Sequence, residues 1–314
     1  MQFWPRKRSS RPFVRVRSWA NEKDSKLLGF VAYKAGMVHV LGMDAGSNSL
    51  TKGEKLSVPV TVLECPQMTI CGVSLYKRTN YGLNKVGQIF SKDISKEAKK
   101  SLSKLISLPN KTSDLKKLTE TDFDFLRILV ASNPTSTSVG SKKSKLVEIG
   151  IGGSKSDQIN YITENIGKNV AVNDVFVEGG LVDIHAVTKG KGFQGVTKRY
   201  GVPLKNHKSE KGQRGIGNLG GWTPKRVDYR VAQPGKMGYH LRTEYNKQIL
   251  KQGLDGSEVV PKSGFHQYGL VKNNYVLIKG SVAGPRKGAV LVTAAIRPTK
   301  KMASFSLNSV SVVN

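Results

Sequence analysis

From residue 27 onward the chain is marked by short apolar runs at close intervals: 28–33, 37–41, 58–63, 68–75, 125–131, 145–151, 181–188, 275–282 and 288–296. They are rich in Val, Ile, Leu and aromatic residues and are bounded by Gly or Pro, which predicts β-strands. So many short strands with few helices between them point to an antiparallel barrel or sandwich, and away from a βαβ fold. Two intervals break the pattern. Over 91–106, Ile94, Ala98, Leu102, Leu105 and Ile106 recur at helical spacing with lysines on the opposite face, predicting a helix inserted on and packed against the β body. Over 154–165, Ser154 is a cap and Ile159, Ile162 and Ile166 follow at helical spacing.

Residues 189–267 lose the alternation altogether. The interval 189–247 carries 14 Lys/Arg against 3 Asp/Glu. A stretch this long without patterned elements marks a functional loop, since structureless loops in compact domains seldom exceed about 12–15 residues. Within it, only 243–253 predicts a helix, with Thr243 as cap, Ile249 and Leu250 as an apolar pair and Gly253 as the stop. The first 19 residues carry six Lys/Arg and no acid, and Pro5 and Pro12 oppose an amphipathic helix of the transit-peptide kind. An extended basic arm, disordered until bound, is the reading. The expected organisation is an arm over 1–21 and a β domain over 22–314, with a helical insertion at 92–122 and a basic central extension at 189–267.

Charge sharpens this picture. The 314 residues hold 51 Lys+Arg against 22 Asp+Glu, a net charge of +29. A polyanionic partner offsets such self-repulsion, nucleic acid first and a membrane surface second. No apolar run approaches the roughly 18 residues that a membrane span needs. Cys65 and Cys71, six positions apart with no neighbouring histidine, read as buried thiols rather than as a zinc pair or a disulfide framework.

Candidate chemistry centres on Gly190, Gly192 and Gly195, a G-x-G-x-x-G directly after a predicted strand. A dinucleotide cradle needs a crossover helix and then an acid on a second buried strand. Gly201 and Pro203 leave no room for that helix, and Glu210, at the right offset, lies in a polar run. Glycine also lets a backbone approach phosphate closely, and Lys189, Lys191, Lys198 and Arg199 flank these glycines. Phe193, Tyr200, Trp222, Tyr229, Tyr239 and Tyr245 are interleaved with the charges, and aromatic faces that are costly to leave in water can stack on bases. RNA contact is therefore favoured over a merely solvated loop. The five histidines show no ligand spacing; His185 reads as a strand residue and His240 as a loop hydrogen-bonder. No nucleophile elbow or cofactor motif appears, so neither metal, cofactor nor catalytic residue is expected.

The runs KGKGFQGVTKR at 189–199, GNLGGW at 217–222 and GYHLRTEYNK at 238–247 closely resemble the universal large-subunit ribosomal protein L-three family in its archaeal form. FWPRKR at 3–8, GFVAYKAGM at 29–37, GFHQYG at 264–269 and YVLIKGSVAGP at 275–285 extend the resemblance to nearly the whole chain. It implies a closed antiparallel β-barrel of the translation-protein type, with the arm and the central loop threading into 23S-type rRNA. It further implies neighbouring large-subunit proteins as partners, a cytoplasmic place in the ribosome, a role early in subunit assembly, and no membrane or self-association. The loop tip, Asn218 to Thr223 with Trp222 as its wedge, would approach the peptidyl transferase centre. The tip departs from the family pattern, having Gly221 before and Thr223 after the tryptophan, and the ending at 302–314 matches no family segment.

The side chains expected to meet rRNA on the arm are Trp4, Arg6, Lys7, Arg8, Arg11, Arg15 and Arg17. On the outgoing limb of the extension they are Lys189, Lys191, Phe193, Lys198 and Arg199. His207, Lys208, Lys211, Arg214, Asn218, Trp222, Lys225 and Arg226 follow around the tip, and Arg230, Tyr239, His240, Arg242, Asn246 and Lys247 on the return. A different class, an RNA-modifying enzyme with a barrel domain, would require clustered acids or a cofactor motif.

Overall fold

The computed structural model describes residues 6–46, 48–91, 94, 96–106, 111–112, 122–299 and 305–311. In chain order its elements are β1 (Gly29–Asp44), β2 (Lys55–Glu64), β3 (Met68–Thr79), β4 (Gly82–Phe90), α1 (Lys96–Ile106), β5 (Lys111–Thr112), β6 (Phe125–Ala131), β7 (Leu146–Gly150), α2 (Lys155–Asn165) and β8 (Asn169–Val170). There follow β9 (Leu181–Val187), β10 (Phe193–Gln194), the one-turn α3 (Val196–Tyr200), β11 (Gly235–Lys236), β12 (Leu241–Gly253), β13 (Tyr275–Lys279), β14 (Ala289–Ala294) and β15 (Phe305–Ser311). The molecule is mainly β, as its pattern predicts.

The strands form two larger sheets rather than one. In the first, the order β14-β9-β12-β13-β2-β1 returns on itself because β1 also pairs with β14, with Phe30 opposite Val292. Every pairing around this circuit is antiparallel. In the second, β4, β3, β6 and β7 lie side by side, with β5 and β8 at the margins. Strand periodicity explains the core: Val182, Ile184 and Ala186 on β9 and Val276 and Ile278 on β13 share one cluster, which continues into Ile70, Val73 and Ile128 of the second sheet. The opposite face of β13, Tyr275 and Leu277, packs with Val60, Val62, Phe265 and Tyr268. Beside this second cluster, Glu64 is fully buried, and it accepts hydrogen bonds from Asn273 Nδ2 at 2.7 Å, Lys272 N at 2.9 Å, Asn273 N at 3.1 Å and the Tyr268 hydroxyl. A buried carboxylate persists only with such compensation.

Several expectations need correction. The runs at 28–33 and 37–41 are one 16-residue strand. The predicted helix at 243–253 is strand β12, whose local helical signal is overridden by ladders to β9 on one side and β13 on the other. Polar β4 lacks the apolar pattern, and tail strand β15 falls in the ending that matches no family segment; β15 pairs with β1 over residues 39–44. Helix α1 buries Ala98 and Leu102 against Cys71, Phe90, Leu129 and Ala131, so it packs on the second sheet. The side chains of Leu105 and Ile106 lie outside the described residues. Helix α2 follows its prediction: the Ser154 side chain accepts from Asp157 N, Asp157 caps in return, and Ile162 is buried.

Candidate nucleic-acid interface

The central extension is the far end of a hairpin. β9 and β12 pair from Leu241↔Val187 inward, and between them the chain runs out and back. Its stem is tied by Thr188 N to His240 O (2.9 Å), Lys191 N to Met237 O (2.9 Å) and the two-residue β10–β11 pairing. Gly238 has φ +76, and a Cβ there would stand 2.1 Å from the Lys189 carbonyl oxygen, so only glycine lets the two limbs close. α3 is a single turn ended by left-handed Gly201, and no crossover helix follows the glycine motif. A Cβ at Gly195 would meet nothing within 4 Å, so the protein's own packing does not demand that glycine.

Beyond the stem, residues 201–230 are exposed apart from half-buried Val202, Ser209 and Ile216. His207, Lys208, Lys211, Arg214 and Arg226 therefore project freely into solvent. At the tip, Asn218 Oδ1 accepts from Gly220 N at 2.8 Å, and Lys225 N donates to Trp222 O at 2.9 Å. Trp222 is 83% exposed, with Lys225 Nζ 5.5 Å from its ring, and neither Val227 nor Tyr229 buries it. Phe193 and Tyr229 are exposed too, and Arg230 lies 5.6 Å from the Tyr229 ring. Large rings presented this openly beside cations suit base stacking.

The arm behaves differently from the expectation of a free, disordered segment. Val14 and Val16 are buried in the main cluster and Phe13 and Trp19 pack against it, while Arg11, Arg15 and Arg17 point outward. Trp19 lies over Gly150, where a Cβ would approach its ring to 2.8 Å. Arg127 Nη2 donates to the Arg17 carbonyl at 3.3 Å. Although burial pushes the Glu148 carboxyl up, the Tyr76 hydroxyl, Lys85 and Arg15 together hold it below its ordinary range. The arm's charge thus finds one acid on the second sheet.

Arm and extension meet at the stem. Arg6 lies 3.9 Å over the Tyr200 ring and donates through Nη1 to Arg199 O at 2.6 Å. Arg199 turns inward, donating to Gln233 O at 2.7 Å and Lys236 O at 3.1 Å. His240 is buried; its Nδ1 donates to Lys7 O at 2.8 Å and its Nε2 accepts from Gly238 N at 3.1 Å. These three predicted contacts therefore brace the stem, and His240 is a loop hydrogen-bonder as its position suggests. Tyr239 is half-buried against the main cluster. Lys7, Arg8, Lys189, Lys191, Lys198 and Arg242 are exposed around the stem. Asn246 sits at a bulge in β12 with φ +53, its N–H donated to Asp183 Oδ1 at 2.9 Å, and Lys247 Nζ binds Ser281 O at 3.0 Å and Glu244 at 3.2 Å. These two are thus set into the sheet. Trp4 lies outside the described residues. Tyr200 and Tyr229, outside the side chains expected to meet rRNA, also stand at the stem, and alternation with basic residues is their only mark in the sequence.

Among the described residues no group of three His, Cys, Asp or Glu side chains comes together to hold a metal, and no helix is long and apolar enough to cross a membrane. His185 is a strand residue on β9, between Thr243 Oγ1 at 2.9 Å and Thr293 Oγ1 at 3.2 Å, and burial pushes its pKa down.

A family model described as Ribosomal protein L3 matches residues 1–311. The large ribosomal subunit protein uL3 of Methanococcus aeolicus is 42% identical, the match covering 99% of this chain and 94% of its own. Those of Methanocaldococcus jannaschii and Archaeoglobus fulgidus are 42% and 41% identical, each match covering 96% of this chain and 91% of theirs. These names are those of a ribosomal subunit component and not of an enzyme. A glycine motif that opens no crossover helix, a basic hairpin held out from a β body, and family similarity along nearly its whole length agree: this chain belongs to the ribosomal protein L3 family, in the company of its archaeal members.

Proposed function

We propose that this protein is a structural constituent of the large ribosomal subunit that binds large-subunit rRNA through its arm and central extension. The observation that carries the reading is the exposed hairpin end at 201–230, dense in Lys and Arg and tipped by Trp222, on a braced stem. In this reading the six-strand circuit is a closed translation-protein-type barrel that serves as a rigid anchor. The return of the pairing path to its first strand supports that. Residues 1–21 act as the arm and 22–314 as the β domain, with a helical insertion at 92–122; of the expected extension at 189–267, the part held out from the barrel lies between β9 and β12, since 241–253 form barrel strand β12 and Phe265 is in the core. The basic side chains replace counterions within folded rRNA and hold its helices together. The tip reaches towards the peptidyl transferase centre, whose chemistry belongs to RNA, and the protein joins the cytoplasmic subunit early in assembly beside neighbouring large-subunit proteins.

Sedimentation of cell extract through a high-salt sucrose gradient tests this. The protein is expected to remain with the large subunit. Its release into the top fractions, with subunits intact, would overturn the reading.

A further inference from the structure

We propose that the cleft between the arm and the stem of the extension holds a single unstacked RNA nucleotide, an inference that rests on the rRNA-binding function above. The cleft has a volume of about 890 Å³, within the range of sites that enclose small ligands. Arg6, Lys189, Lys191, Arg199, Arg230 and Arg242 line it, and no Asp or Glu does. Asp228, which approaches Arg230 Nε at 3.9 Å, is outside the lining.

The lining has more than charge. Tyr200 and Tyr229 contribute ring faces, and Val231 and Met237 contribute apolar surface. A phosphate alone requires neither rings nor an enclosed volume. A paired base within a duplex cannot enter a cleft. An unstacked nucleotide offers a phosphate, a ribose and a π face together, which matches this combination. Division of labour among the cations supports the match. Arg199 donates through Nη1 and Nε to the Gln233 and Lys236 carbonyls, and Arg6 lies over the Tyr200 ring, so these two build a wall of the cleft. Lys189 and Lys191 are exposed at the cleft and remain to meet phosphate, as do the donors of exposed Arg242 other than Nη1, which donates to Leu241 O at 2.8 Å. Tyr229, 79% exposed with Arg230 5.6 Å from its ring centroid, is the more open of the two rings for a base.

The test uses the full-length protein and two RNA hairpins of equal length, one fully paired and one with a single bulged 2-aminopurine. The bulged hairpin is expected to bind about tenfold more tightly, the effect of one stacked base, with a change in 2-aminopurine fluorescence. Tyr229→Ala, at a surface position, should abolish the preference and the fluorescence change while leaving the salt slope of binding unaltered; Tyr229→Phe should retain both. Equal affinity for the two hairpins, together with an unaffected Tyr229→Ala variant, would overturn the cleft assignment while a steep salt slope kept the rRNA-binding function intact. Absence of binding to either hairpin at low salt would remove both. Competition by free AMP as strong as that of the bulged RNA would overturn assignment to an RNA strand in favour of a free nucleotide, whereas no competition at millimolar AMP supports the strand.

Discussion

The arm and the central extension are alike in charge and unlike in structure. Both are basic, both lack regular elements over most of their length, and both carry aromatics. Yet the arm is fastened by Val14 and Val16, each 4% exposed, while the extension leaves Leu219, Trp222 and Val227 in solvent. The difference is a matter of pattern. In the arm, apolar and basic residues alternate through Val14-Arg15-Val16-Arg17, so an extended backbone turns one face to the core and the other outward. In the extension, apolar residues are single and irregular, and no backbone conformation gathers them on one side. Charge density marks a segment for a polyanion, whereas apolar periodicity decides whether the protein holds it meanwhile.

Binding gives the largest contrast. Replacing Lys208, Lys211, Arg214 and Arg226 with Gln should make the log–log salt dependence of rRNA-fragment binding shallower by roughly 3–4, one phosphate contact for each exposed cation. Arg15→Gln with Arg17→Gln should reduce it by no more than about 2. An equal or greater effect of the arm pair would reverse the assignment of the extension as the principal electrostatic element.

Stability is expected to respond in the opposite sense. Val14→Ala with Val16→Ala removes four buried methyl groups and should destabilise the fold by about 3–4 kcal/mol in urea unfolding, with new proteolytic cleavage at Arg15 or Arg17. Leu219→Ala with Val227→Ala should stay within about 0.5 kcal/mol of the parent. Matching losses in both variants would mean that the extension is packed as well.

Acidity should loosen the arm side alone. His185 borders a cavity of about 560 Å³ formed with arm residues such as Val14 and Val16 and with Thr243. Burial lowers its pKa despite Asp183, which favours the charged form. The unfolded chain then binds the extra proton more readily, so the stability present above His's ordinary pKa of about 6.5 declines as pH falls towards the lowered folded value. Protease susceptibility of the arm should rise over that window and the His185→Gln variant should lack this rise; a pH-independent parent would refute the linkage.

Trp222→Ala should likewise leave stability within about 0.5 kcal/mol of the parent, because the ring is 83% exposed. Large subunits should still incorporate the variant, while chemical-probing reactivity of the peptidyl transferase rRNA shifts. Reduced incorporation with a destabilised loop would show instead that Trp222 supports its own segment.

Most strands were legible because burial on a pleated surface leaves a local mark: runs such as Phe125–Ala131 and Leu181–Val187 are Val/Ile/Leu-rich stretches bounded by polar turns. The two basic segments and their aromatics were equally plain, since composition is counted without any partner. Strand β12 was not legible, because Thr243, Ile249 and Leu250 carry a helical signal and only β9 and β13 outside the segment supply the competing hydrogen bonds. Nor was β4, whose first five residues are exposed and lack apolar alternation, or β15, which exists by pairing with β1 more than 250 residues away. The arm's own alternation at 14–17 was present in the sequence, but charge hid it. The sequence by itself determined the β character, the family and the places where charge accumulates, because periodicity, motif and composition are local. Tertiary structure alone decided the return of the strand circuit on itself, the bracing of the stem by Arg6, Arg199 and His240, and the cleft with Tyr200 and Tyr229, because Arg6 and Arg199 are 193 positions apart and only long-range pairing brings them within a hydrogen bond.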